Sequence, residues 1–169
     1  MTQEFWLRGP LPEIPSLLQP VAHALLQSRD EVTTMMTDFP PDLLWNSPGG
    51  MATPGFHLMH FTGVIDRLFT YAKGEQLSPE QIDSMKKEKS VHHDLTADEL
   101  LSRFSRQVDR ALDQLRSTDE TTLTNERLVG RKALPSTVMG LLFHAAEHTM
   151  RHTGQLLVTV NVLKNSYAL

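Results

Sequence analysis

Apolar residues recur every three or four positions along four long stretches of the chain, and polar punctuation separates them. Between residues 16 and about 37, Leu17, Leu18, Val21, Leu25, Val32, Met35 and Met36 form a helical stripe, with Ser16 available as a cap. Thr53 and Pro54 supply a capping hydroxyl and a proline at the first helical position. The helix they open runs to about residue 73, where Gly74 can end it. One side of this second helix carries Phe56, His60, Val64, Arg67, Leu68 and Tyr71, and Gly63 permits close approach by a neighbour. Ser78 and Pro79 start a short helix through about residue 87. Thr96 and Glu99 form a capping box for a third long helix to about residue 116, whose apolar side is Leu100, Leu101, Phe104, Val108, Ala111, Leu112 and Leu115. The last helical run extends from residue 135 to about 164, and Leu141, Ala145, His148, His152, Leu156, Thr159 and Leu163 give it an interior seam.

Four long amphipathic helices, with long connections between the second and third and between the third and fourth, predict an all-α four-helix bundle. Pro10, Pro12 and Pro15 predict an extended arm over residues 1–15, with Phe5 and Trp6 packed on the body or at a dimer seam. Trp45, between two proline-containing breaks, is expected to cover the end of the bundle or line a pocket mouth. Residues 117–135 have little periodicity and read as the longest loop, a length that is unusual unless it shapes a site or interface.

A chain of 169 residues with 40% apolar content accommodates one domain. A net charge of -4 and no basic block longer than Lys86-Lys87 argue against a nucleic-acid binder. No run of 18 apolar residues occurs, and the first ten residues do not read as a leader, so a soluble, cytoplasmic protein without a membrane partner is expected. The absence of cysteine removes thiolate nucleophiles and sulfur ligands, so any metal must be held by His, Asp, Glu or water. Gly-rich phosphate loops, EF-hand spacing and Ser-His-Asp patterns are absent.

What remains is histidine. His144, His148 and His152 fall at intervals of four, and each interval advances a helical side chain by about 40° and about 6 Å, over one face. The apolar seam favours His148 with His152, since His144 falls at its edge beside Arg151 and Gln155. His60 lies on the inward side of the second helix and is the third ligand this pattern suggests; His57 lies one turn earlier and about 60° around. His92, His93 and Asp94 have no apolar neighbours and read as a solvated connection, and His23 as exposed. Arg127 and Arg131, with Lys132, are candidates for binding an anionic substrate from the long loop. Glu147 projects about 100° from its neighbour His148 and is not assigned as a base.

A second-helix histidine, His60, followed far downstream by His148 and by Arg151-His152-x-Gly154-Gln155, resembles the DinB/YfiT superfamily of metal-dependent four-helix bundles. The resemblance implies an up-down-down-up bundle, often a homodimer. It also implies a divalent ion, usually zinc or nickel, on His60, His148 and His152 with water completing its sphere. Gln155 would lie at the rim of that site. Members include thiol-dependent transferases and isomerases using small thiols such as bacillithiol or mycothiol, so the expected activity is metal-dependent chemistry on a small molecule through an activated thiolate. The alternative is a dimeric, ligand-binding bundle whose metal is structural or vestigial.

Overall fold

The computed structural model describes residues 3–166. Five α-helices carry the fold: α1 (Gln19–Met36), α2 (Pro54–Ala72), α3 (Pro79–Lys87), α4 (Ala97–Arg116) and α5 (Val138–Ser166). Their starts follow local chemistry. The Thr53 hydroxyl accepts from the Phe56 N–H at the head of α2, and full capping boxes, Ser78 with Gln81 and Thr96 with Glu99, open α3 and α4. Gly74, at φ +84°, takes the left-handed conformation that ends α2. Ser16 does not cap α1. It opens a short 3-10 turn over Ser16–Leu18, which leaves Leu17 61% exposed while Leu18 is fully buried.

The chain is not entirely helical. Glu126–Val129 (β1) and Leu134–Thr137 (β2) pair antiparallel, with Leu128 opposite Pro135, so the segment expected as a loop holds a hairpin. Helix α5 therefore starts at Val138 rather than at Pro135. Neither strand buries a full face, so no apolar alternation marks it in the sequence, and a proline is tolerated in a two-stranded ribbon. Gly130 and Ala133 take positive φ at the turn.

Helices α1 and α2 each pack against both α4 and α5. Phe61 of α2 stacks on Phe104 of α4 at 4.9 Å, both completely buried, and Leu25, Leu58, Ile65, Leu100, Leu115, Leu142 and Leu156 fill the core around them. Ser28 and Thr153 satisfy each other across α1 and α5 at 2.7 Å. The N-terminal arm lies on α1, where the Gln19 side chain bonds the backbone of Leu11 and Ile14. Phe5 packs on the core under the Arg8 guanidinium, whereas Trp6 is 64% exposed. No helix among the described residues is long and apolar enough to cross a membrane.

Candidate metal centre

Helices α2 and α5 meet antiparallel, so His57 faces His152 and His60 faces His148. The Nε2 atoms of His60 and His148 are 2.9 Å apart, and the His152 ring centroid is 4.5 Å from that of His60 and 4.6 Å from that of His148. One nitrogen from each of the three rings lies within 4.8 Å of the others. Two nitrogens on one tetrahedral ion with bonds of about 2.05 Å would be about 3.4 Å apart, so the cluster has the scale of a single-ion site.

The donor set also fits. Burial, then the neighbouring His60, lowers the pKa of His57 to about 4. Burial, then His60, His148, His57 and Arg151, takes His152 down to about 3. His148 is lowered by burial first and by His60 next. These three rings are neutral near pH 7, the form in which imidazole binds a metal. The buried Nδ1 of His148 has no hydrogen-bond partner among the described residues, and its Nε2 faces only another imidazole. Imidazole donors without sulfur suit zinc, nickel, copper or iron.

Further groups hold the rings. The Nδ1 of His60 is 2.8 Å from Glu88 Oε2, and Glu88 is paired in turn with Arg67. Glu88 is 4% exposed. Burial alone would push its carboxyl up, but the bonds from His60 and Arg67 outweigh this and hold it below the usual range. The Nδ1 of His57 lies 3.1 Å from Nδ1 of His152. Phe56 stacks on His60 at 5.3 Å and nearly parallel, covering that ring. His57 forms part of a cleft of about 820 Å³ with Pro48, Met51, Ala52, Gln155 and Val158, whose rim includes Arg151.

The remaining residues singled out in the sequence are spread more widely. His144 is exposed beside His148, ring centroids 5.1 Å apart, and bonds Glu147, which also takes Arg151. Arg127 is not at the histidines: its Nε donates to the Ala72 carbonyl at the far end of α2, about 18 Å along the helix from His60. Arg131 is exposed in the hairpin turn. Trp45 lies over Gly55, whose lack of a side chain makes room for the ring, and lines a different cleft with Val91 and His93. His92 bonds the Lys87 carbonyl and contacts Trp45, away from the cluster.

Glu88 is the residue that sequence reasoning missed. It follows two lysines at the end of a polar helix and reads as surface. Its signal is on α2: Arg67 shares the inward side with His60, and a buried guanidinium requires a carboxylate.

The comparisons agree with this architecture. A crystal structure of a Streptococcus pneumoniae protein matches with TM-score 0.64 and 14% identity over 86% of this chain and 88% of that one. An uncharacterised Clostridium difficile protein gives 0.64 and 13% over 86% and 94%. A DinB-like protein from Bacillus cereus gives 0.59 and 19% over 83% and 91%. At these identities the likeness is one of fold. No curated relative matches the chain. The family model of the DinB superfamily matches residues 24–156, from the first turns of α1 through all three histidines of α5, and the chain belongs to the DinB superfamily.

Proposed function

We propose that the protein binds one divalent ion, zinc or nickel, through His60, His148 and His152, and acts as a metal-dependent enzyme on a small molecule. The observation that carries this reading is the convergence of three imidazoles, two of them held neutral by burial, from two helices onto one point. When bound, the ion would supply Lewis acidity that brings a coordinated water or thiol toward ionisation at neutral pH. Phe56 shields one face of His60 from solvent. His57, at the wall of the apolar cleft and against His152, links the space available to a substrate with the cluster. Gln155 and Arg151 at the rim offer polar contacts to a ligand whose body lies on Met51, Ala52 and Val158.

A low-molecular-weight thiol in the cytoplasm is the co-substrate that the family resemblance suggests, with transfer of sulfur to an electrophile as the reaction. Arg127 and Arg131 are not included on the substrate side, given their positions. A second reading, a structural metal in a ligand-binding dimer, is favoured by one observation: among the described residues, His57 is the one histidine that lines the cleft, and no member of the three-histidine cluster does. The exposed Phe143 and Leu157 on α5, which do not line that cleft, suit a homodimer contact. The up-down-down-up order is supported by contacts that make α1 parallel to α5, Ser28 with Thr153 and Met35 with Lys164, and α2 parallel to α4, Phe61 with Phe104 and Phe69 with Gln114.

The test is elemental analysis of protein purified with zinc or nickel, followed by a screen of small thiols with electrophiles. One equivalent of metal and thiol consumption dependent on it are expected. Protein that takes up neither ion would sink the proposal.

A further inference from the structure

Helix α3 is short, polar and without a buried residue, yet it is tied to α2 at both ends. At its start, Gln81 Nε2 donates to Asp66 Oδ2 at 2.7 Å and to Thr70 Oγ1 at 2.8 Å. Directly after its last residue, Glu88 turns inward between Arg67 and His60. Gly63 provides the space, since a Cβ there would overlap the Glu88 carboxylate and come within 2.6 Å of Arg67 Nη1. An apolar packing role does not account for α3, whereas delivery of one carboxylate does.

We propose that Glu88, oriented by Arg67, is a positioning residue for the metal centre, and that it fixes which nitrogen of His60 faces the ion. Its oxygens are both engaged: Oε1 accepts from Arg67 Nη1, and Oε2 accepts from His60 Nδ1 at 2.8 Å and, at a longer 3.4 Å, from Arg67 Nη2. A carboxylate so engaged can only accept, so the His60 proton resides on Nδ1 and the lone pair on Nε2, the atom aimed at His148. The inference rests on the metal reading above, but the tautomer it assigns exists without metal.

The experiment compares wild type with Glu88→Gln in two measurements, zinc affinity by chelator competition and the tautomer of His60 by imidazole 15N NMR on metal-free protein. Glutamine has one carbonyl oxygen, and Arg67 competes for it, so the amide NH2 is left facing His60. The expected result is a shift of the His60 proton from Nδ1 to Nε2 together with a zinc affinity weaker by about 10- to 100-fold. Gly63→Ala keeps every ligand and Glu88 itself but displaces the carboxylate, and it is expected to weaken zinc in the same direction; it serves if Glu88→Gln fails to fold. A folded Glu88→Gln protein with the wild-type tautomer, or Gly63→Ala with wild-type zinc affinity, overturns the proposal. Wild type that binds neither zinc nor nickel while His60 carries its proton on Nδ1, and loses that preference in Glu88→Gln, overturns the metal reading but supports Glu88 as the group that sets the His60 tautomer.

Discussion

The Nδ1 atoms of His57 and His152 lie 3.1 Å apart, so one ring donates its proton there and the other accepts it. With His152 Nδ1 engaged, its Nε2 is the nitrogen left for an ion. His57 → Phe should keep the buried volume but remove the partner, and metal affinity should fall by about 10-fold or more, as for other groups that orient a ligand. Chelator competition measures it, and an unchanged constant would show that the His57 contact is packing alone.

His152→Ala is expected to cut bound metal to a small fraction of an equivalent while the protein stays folded. The ring is only half-buried, and the helix that bears it is held by the buried Leu141 and Leu142 before it and Leu156 and Val160 after it. Elemental analysis beside circular dichroism separates the two effects; full metal content would remove His152 from the site.

Acid should destabilise the metal-free protein in a defined window. Unfolded, His57 and His152 titrate near 6.5; folded, they do so at about 4 and about 3. Between these values the unfolded chain binds more protons, so stability is greatest above pH 6.5 and falls as pH drops toward 3, where the histidine contribution levels off. At about 1.4 kcal/mol per pKa unit, His57 alone corresponds to roughly 3 kcal/mol across its window. Glu88, also lowered, adds a loss in the same direction below its unfolded value near 4.5. Thermal melts from pH 4 to 8 without metal are the check, and a Tm that rises on acidification to pH 5 would contradict it.

Arg127→Met should leave metal content unchanged and lower stability by about 0.5–1.5 kcal/mol, because the guanidinium bonds a terminal carbonyl of α2. Urea unfolding and metal analysis on the same sample decide it. A loss of metal with no change in stability would return Arg127 to the site.

Phe61→Ala should cost about 3–5 kcal/mol, since the ring is completely buried against Phe104 on the helix that carries His60. Denaturant midpoints give the value, and a cost below about 1 kcal/mol would mean that the α2–α4 contact can collapse around the space left.

Local chemistry was enough for much of this protein. Thr53-Pro54, Ser78-Pro79 and Thr96…Glu99 mark helix starts because capping involves residues three apart, and the seam through His148 and His152 is visible because helical period is a local property. The hairpin was not visible, because its strands have no buried face to impose alternation. Nor was Glu88: its burial comes from Gly63 and Arg67, more than twenty positions earlier, and no spacing rule connects a helix to the residue that lands on it. Arg127 lay in the same position of ignorance, a cation whose partner is a carbonyl at the end of a helix 55 residues away. Ligand types and their spacing within each helix are written in the chain locally; the convergence of the two helices on one point, the carboxylate behind His60 and the cleft in front depend on which faces the packed bundle brings together.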